Sequence, residues 1–261
     1  MYNAYTRKVL VLLAIFGGWE IAARLADSPL MLPTVGDTFQ ALLSTIANPN
    51  EDGIRLYVWE TMKALVSGFA LGSVIASILT VLAVNTKIGE DFLAMITSAL
   101  APMPAVAVFP IALLIFGISF HSILFISAFA STFPLAISMY AGFRQVSKTL
   151  KNVGRNWGMN PLELTIRILI PASLPSIITG LKNGFGNSFR ALVACEMVVG
   201  AATGAGGIGF FLMQQKQNLE IPAVWAGIIA IMTIGLMFEW VFTQIENRTV
   251  KRWGMLAHSQ K

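Results

Sequence analysis

Long stretches without a charged side chain constrain the fold of this chain more than any other feature of its sequence. Three such stretches lie at residues 64–84, 92–119 and 120–143. Three further apolar stretches, at 9–23, 171–201 and 221–242, contain one to three charged residues each. A helix needs about 20 residues to cross a hydrocarbon core about 30 Å thick. The pattern therefore predicts an all-α integral membrane protein with six transmembrane helices, at about 8–26, 57–85, 91–118, 120–143, 171–200 and 221–245.

The overall composition excludes several other classes of protein. Of the 261 residues, 56% are hydrophobic and 12% are charged, whereas soluble domains carry about 25% charged residues. This argues against a soluble enzyme and against a disordered chain. A single cysteine, Cys195, excludes a disulfide framework and a cysteine-based zinc site, and the two histidines leave little for a metal centre. No cofactor is therefore expected in this chain.

The basic residues are distributed unevenly between the segments that join the predicted spans. Lysine and arginine accumulate in cytoplasmic loops of membrane proteins. If both termini are cytoplasmic, twelve of the 18 basic residues fall on that side: Arg7, Lys8, Lys87, Arg144, Lys148, Lys151, Arg155, Arg167, Arg248, Lys251, Arg252 and Lys261. This asymmetry predicts cytoplasmic N- and C-termini, and it accounts for the net charge of +5 without a nucleic-acid partner.

The first apolar stretch has an alternative interpretation as a secretory signal peptide. Cleavage after Ala26 would place Arg24 where a small residue is required. We therefore expect a retained first helix. Thr34 is then predicted to cap a short amphipathic helix along the outer membrane interface.

The loop at 144–171 is predicted to be cytoplasmic, and it contains a compact set of helix signals. Ser147 is placed to cap a helix that begins at Lys148, and Gly158 is placed to end that helix. The segment from Asn160 to Glu163, with Pro161 at its first helical position, has the sequence of a capping box. The loop is therefore predicted to form a helix, a glycine turn and a second short helix, although a simple solvated connector would also fit.

This loop resembles the cytoplasmic motif of binding-protein-dependent ABC importer permeases. That motif has Glu-Ala-Ala, three residues, Gly, about nine residues, Ile, and then Leu-Pro. Gly158, Ile168 and Ile170-Pro171 match it, whereas Asn152-Val153-Gly154 stands at the Glu-Ala-Ala position and departs from it. Short matches to the branch that serves sulfonates, taurine and nitrate extend from about residue 9 to 253: Leu32-Pro33, Gly68-Phe69-Ala70-Leu71-Gly72, Pro102-Met103-Pro104, Phe116-Gly117-Ile118, Tyr140-Ala141-Gly142, Leu174-Pro175, Thr179-Gly180-Leu181, Glu196-Met197 and Gly206-Gly207-Ile208-Gly209.

The resemblance implies a type I importer permease whose loop at 144–171 forms a cytoplasmic coupling helix. ATP and Mg²⁺ would be bound by a separate ATPase dimer, consistent with the absence of a phosphate-binding loop motif in this sequence. The residues implied to contact the ATPase are Arg155, Asn156, Trp157, Gly158, Met159, Pro161, Leu162 and Glu163. Trp157 could instead be an aromatic anchor at the level of the lipid headgroups. The resemblance also implies that two copies of the permease form a homodimer in the bacterial inner membrane. An extracytoplasmic solute-binding protein would dock near residues 200–220. The solute could be a sulfonate, nitrate, bicarbonate or a similar small molecule.

Broken backbone and ionisable groups at membrane depth point to the solute path or to a subunit interface. Pro102, Pro104 and Pro110 interrupt a long apolar stretch, and such breaks are tolerated only inside protein or beside a water-filled cavity, although a plain kink without a role in the path would also fit. Arg190 and Glu196 lie in the fifth span, and each needs a partner or a watery environment. Lys63, Lys182 and Glu239 are instead expected to extend to the membrane interface. Gly68 with Gly72, and Gly180 with Gly184, have the four-residue spacing of close helix contacts.

Two other interpretations remain. The segment Gly204-Ala205-Gly206-Gly207-Ile208-Gly209 has the glycine spacing of a dinucleotide-binding motif, but it follows a predicted membrane span rather than a strand, so we expect a flexible outer loop. The main rival is a self-contained membrane protein, either a proton-coupled secondary carrier or an intramembrane enzyme. Such carriers often contain internal repeats, and this sequence has no recognisable repeat.

Overall fold

The computed structural model describes residues 4–26, 28, 30–47, 53–200 and 206–251, and this part of the chain is helical without strands. The predicted all-α class is thereby confirmed. The elements are α1 (Ala4–Ala26), α2 (Val35–Ala47), α3 (Ile54–Asn85), α4 (Lys87–Leu100), α5 (Ala105–Phe116), α6 (Phe120–Gln145), α7 (Lys148–Asn156), α8 (Pro161–Leu164), α9 (Ile170–Ala172), α10 (Leu174–Val199), α11 (Ile208–Gln217) and α12 (Ile221–Glu246), with π-helical turns at Thr165–Leu169 and Asn247–Lys251.

Four of the described helices are long and apolar enough to cross a membrane: Val9–Ala26, Ile54–Asn85, Phe120–Gln145 and Ile221–Thr249. Two further pairs qualify when each is taken as one bent span. The first joins α4 to α5 at an angle of 100°, and the second joins Pro161–Ala172 to α10 at 78°. Counted in this way, the described part of the chain has up to six candidate spans, and each of them overlaps one of the six predicted stretches.

The break between α4 and α5 has a local cause in the sequence. Pro102 and Pro104 lack backbone N–H donors, and each disfavours helical geometry in the residue before it. Helix α4 therefore ends at Leu100, and Pro104 immediately precedes α5. The predicted break at Pro110 is wrong, because Pro110 lies within α5 without ending it, as Pro134 lies within α6.

The described residues divide into two compact units. Unit 1 comprises the described residues within 1–61 and 196–234, and unit 2 comprises those within 62–195 and 235–261. In unit 1, an apolar cluster of Ile54, Tyr57, Phe211 and Ala223 joins the start of α3 to α11 and α12. In the same unit, the rings of Trp19 and Trp225 pack with centroids 4.9 Å apart.

In unit 2, α6 is the most buried of the long helices, and small residues let its neighbours approach closely. A Cβ atom added at Gly72 would lie 2.6 Å from the carbonyl oxygen of Ala128, and one added at Gly184 would lie 3.0 Å from that of Ser131. Real Cβ atoms essentially never come as close as 2.6 Å, so position 72 requires glycine, whereas an added Cβ at position 184 would require Ser131 to move by a few tenths of an ångström. The predicted role of the spaced glycines in close helix contacts is confirmed for α3 and α10 against α6.

Candidate functional site

The segment that joins α6 to α10 in unit 2 forms the predicted pair of short helices. Ser147 Oγ accepts a hydrogen bond from the backbone N–H of Leu150 at 3.3 Å and so caps α7. Gly158 has φ +75°, the left-handed conformation that glycine adopts at low cost. Asn160 Oδ1 accepts from the N–H of Glu163 at 2.8 Å, and the Glu163 carboxylate accepts from the N–H of Asn160 at 3.2 Å. The predicted cap, glycine turn and capping box are therefore confirmed.

This segment presents large apolar side chains outward. Trp157 is 81% exposed and Leu162 is 55% exposed, while Met159 is half-buried. A tryptophan exposed to this extent beside a rigid turn is a common form of protein-binding anchor. The arrangement suits contact with another protein.

The departure from the family motif at residues 152–154 has a packing explanation at its last position. Gly154 is buried in α7, and an added Cβ would lie 2.5 Å from Leu164 Cδ1 and 2.6 Å from Ile168 Cδ1. The segment after α8 thus packs directly on the α7 backbone. An alanine, which the motif has here, would not fit without a shift. The structure offers no corresponding reason for Asn152, which is exposed.

A basic cavity of about 450 Å³ lies beside α7 in unit 2. Its charged lining residues are Glu90, Arg144, Lys148, Lys151 and Arg155. The Glu90 carboxylate accepts from Arg144 Nη1 and from the Tyr140 hydroxyl, both at 2.6 Å. Burial, together with the charges of Arg144 and Arg155, lowers the pKa of the Lys151 ammonium. Glu90 comes from α4, distant in sequence from the loop, and no local sequence pattern predicts its position here.

A second cavity, of about 410 Å³, lies at the break between α4 and α5 in unit 2. Pro102, Pro104 and Arg190 all line it, together with Asn187, which lies one turn before Arg190 on α10. Arg190 Nη2 donates a hydrogen bond to Asn187 Oδ1 at 2.6 Å. The structure thus brings together three of the four residues that the sequence analysis assigned to a path or interface.

Glu196, the fourth of these residues, has different surroundings in unit 1. Its side chain is 3% exposed. The Thr61 hydroxyl lies 2.9 Å from both carboxylate oxygens and donates to them, and Gly209 N–H donates to Oε2 at 3.1 Å. Thr61 Oγ1 in turn accepts from Ile208 N–H at 2.8 Å. Glu196 and Thr61 therefore satisfy the first N–H groups of α11.

These contacts correct the expectation of a flexible loop for residues 206–209. All four are buried, and α11 begins at Ile208. Positions 204 and 205 of that expectation lie outside the described residues. The role of Thr61 was not predictable from the sequence, because a single threonine within a long helix carries no local signal of it.

Other ionisable groups near the spans have partners on neighbouring elements. In unit 1, Glu20 accepts from Arg24 Nε at 2.7 Å and from the N–H of Val35 at 3.0 Å, which caps α2 from the end of α1. In unit 2, Lys182 and Glu239 form an ion pair with each other. Within the described part of the chain, no group of three histidine, cysteine or acidic residues could hold a metal ion.

The sequence of this chain is similar to those of known transport permeases. The family described as "Binding-protein-dependent transport system inner membrane component" matches residues 68–251. The nitrate import permease protein of Synechocystis sp. is 27% identical over 93% of this chain and 87% of its own length. The taurine transport system permease protein of Escherichia coli is 28% identical over 91% of this chain and 85% of its own length. The formylaminopyrimidine transport permease protein of Halalkalibacterium halodurans is 26% identical, over 88% of each.

Proposed function

Because the chain belongs to the family of inner membrane components of binding-protein-dependent transport systems, we propose that it is the transmembrane permease subunit of an ATP-driven importer. It forms the path for a small solute that a binding protein delivers. A separate ATPase dimer binds ATP and Mg²⁺ and supplies the energy, and two copies of the permease pair around one path. The permease itself catalyses no reaction.

The observation that carries this proposal is the exposed tryptophan at the α7–α8 turn. Trp157 and Leu162 lie outward on a segment whose backbone is held by two caps and a left-handed glycine. Buried in a cleft of an ATPase subunit, Trp157 would contribute the apolar area typical of an interface anchor. Arg155 and Glu163 would form the polar rim, and Asn156, Met159 and Pro161 would complete the contact.

Coupling would then act through the stiffness of this segment. Gly154 packs directly against Leu164 and Ile168, so α7 and the segment after α8 are in close contact. A displacement of the turn by the ATPase would be transmitted to the start of α10 rather than absorbed locally. Helix α10 carries Arg190, which lines the cavity at the α4–α5 break. We propose that this cavity belongs to the translocation path.

The identity of the solute is a separate question. The relatives are named for nitrate, taurine and formylaminopyrimidine, which differ in size and in charge. Sulfonates, nitrate, bicarbonate and similar small solutes are the proposed class. Delivery by a binding protein outside the membrane would set most of the selectivity.

Co-purification tests the proposal directly. The tagged chain is expressed with the ATPase and binding-protein genes of its own genome and is extracted in mild detergent. We expect an ATPase subunit to co-elute at a fixed ratio, and ATP hydrolysis in liposomes to rise when the loaded binding protein is added. A chain that elutes alone and transports solute when a proton gradient is applied, without ATP, would instead be a secondary carrier.

The proposed orientation, with both termini cytoplasmic, has its own test. Cysteines are introduced at Lys151, in α7, and at Gln217, at the end of α11. A membrane-impermeant maleimide added to intact cells should label position 217 and leave position 151 unlabelled until the membrane is opened. Labelling of position 151 in intact cells would reverse the orientation.

A further inference from the structure

The cavity at the α4–α5 break combines a fixed positive charge with apolar walls. Its lining includes the backbone from Leu100 to Val106, the aromatic side chains of Phe129 and Phe133, and Arg190. The lining residues, all within the described part of the chain, include no acidic side chain. The guanidinium of Arg190 therefore has no carboxylate within the cavity to neutralise it.

A hydrogen bond to a neutral amide orients the guanidinium of Arg190 without neutralising its charge. Asn187 Oδ1 accepts from one terminal nitrogen of its guanidinium at 2.6 Å. This neutral partner uses one of five N–H donors, and the side chain remains exposed. Two parallel N–H groups of a guanidinium match the spacing of oxygens in a carboxylate, sulfonate or nitrate group.

Lys182, the other basic residue of α10, differs from Arg190 because its charge is neutralised by a carboxylate. Lys182 forms an ion pair with Glu239 of α12 and is absent from the cavity lining. An arginine at membrane depth is unfavourable when it faces lipid. A position that keeps such a charge beside a cavity, without a counter-ion from the lining, has the chemistry of an anion site.

From these observations we propose that the cavity is a binding site for a small oxyanion, in which Arg190 contacts the anionic group and Asn187 orients the guanidinium. This inference rests on the proposed function, since it makes the cavity a station of the solute path and sets the solute class as sulfonate-, carboxylate- or nitrate-like. The cavity volume of about 410 Å³ holds such a group with a short organic tail. The aromatic wall would contact that tail.

Thiol labelling tests the site without relying on transport. Ala101 is exposed and lines the cavity, so an Ala101→Cys chain carries a reporter thiol, with the parental chain as the baseline for the buried Cys195. Two methanethiosulfonate reagents are compared, one sulfonatoethyl and one trimethylammonioethyl, and each rate is divided by the rate with a free thiol in solution. We expect the normalised rate to be about tenfold higher for the anionic reagent than for the cationic one, because the nearby positive charge of Arg190 attracts the first and repels the second.

The variants assign that preference to Arg190. Arg190→Gln in the Ala101→Cys chain should abolish the preference, Arg190→Lys should retain part of it, and the matched control Lys182→Gln should leave it unchanged. Equal normalised rates in the Ala101→Cys chain, a preference that survives Arg190→Gln, or a thiol that no reagent reaches would each overturn the proposal.

Transport by the reconstituted complex separates this inference from the proposed function. With the ATPase and the binding protein present, uptake of the anionic solute should fall at least about tenfold in Arg190→Gln, and Lys182→Gln should resemble the parental chain. Absence of any ATP-driven uptake by the parental chain would count against the proposed function alone. If the parental chain shows ATP-driven uptake and Arg190→Gln takes up the anionic solute at an undiminished rate, the anion site alone is overturned.

Discussion

Two left-handed glycines, Gly158 in unit 2 and Gly206 in unit 1, have the same φ of +75° and opposite surroundings. A Cβ added at Gly158 meets nothing within 4 Å among the described residues, whereas one added at Gly206 would overlap the ring of Phe210. At the next residue, Gly207, an added Cβ would overlap the Glu196 carboxylate. The turn at Gly158 is thus set by backbone conformation alone, and its surface is open to a partner.

The turn before α11 is set by packing as well. Phe210, Glu196 and Thr61 surround it, and its polar groups are satisfied inside unit 1. The comparison suggests that substitutions at the α11 turn act on stability, whereas substitutions at the α7–α8 turn act on coupling. Four substitutions test this division, in order of decreasing effect on the free energy of unfolding.

Gly207→Ala should destabilise the protein most. Its φ of −107° suits any residue, so the effect isolates packing against the buried Glu196 carboxylate. Overpacking of this kind costs about 3 kcal/mol. The measurement is the thermal midpoint of the detergent-solubilised chain, with Gly235→Ala as a control, because an added Cβ there has open space among the described residues. Equal midpoints for the two variants would contradict the packing account.

Thr61→Val should cost about 2 kcal/mol, because it leaves the N–H of Ile208 without a buried acceptor and removes the hydroxyl donor to Glu196, whose carboxylate keeps, among the described residues, only the N–H of Gly209. Thr61→Ser retains the hydroxyl and should recover most of the midpoint. Glu196→Gln should likewise keep membrane insertion but lower the yield of assembled complex and the uptake per complex. If Thr61→Val matches Thr61→Ser in midpoint and in yield, the capping network contributes nothing.

Gly158→Val should cost about 1 kcal/mol, the strain of a side chain in the left-handed region. Its effect on function should be far larger, because a rearranged turn would misplace Trp157. We expect normal insertion and loss of solute-stimulated ATP hydrolysis in the reconstituted complex. Stimulation equal to that of the parental complex would show that the turn geometry is not needed for coupling.

Trp157→Ala should change the free energy of unfolding by less than about 0.5 kcal/mol, because the side chain is 81% exposed. It should nevertheless reduce the ATPase retained on the purified permease by at least about tenfold. Trp240→Ala is the matched control, since Trp240 is 62% exposed on α12. Equal retention in the two variants would remove Trp157 from the proposed interface.

The features that were predictable from the sequence depend on residues close together along the chain. A span is a run of about 20 apolar residues, and the caps at Ser147 and Asn160 join groups three residues apart. The left-handed turn at Gly158 and the break at Pro102 and Pro104 are properties of single residues. Each of these could be identified because the stabilising partner lies within one helical turn of its signal.

Only the tertiary structure determined which distant groups meet. Thr61 reaches Glu196 across 135 positions of sequence, and Lys182 reaches Glu239 across 57. Arg190 and Glu196 are six residues apart on one helix, yet one lines a cavity in unit 2 and the other is buried as a cap in unit 1. A helix presents successive residues in different directions, so what surrounds each side chain depends on the neighbouring helices and not on the local sequence.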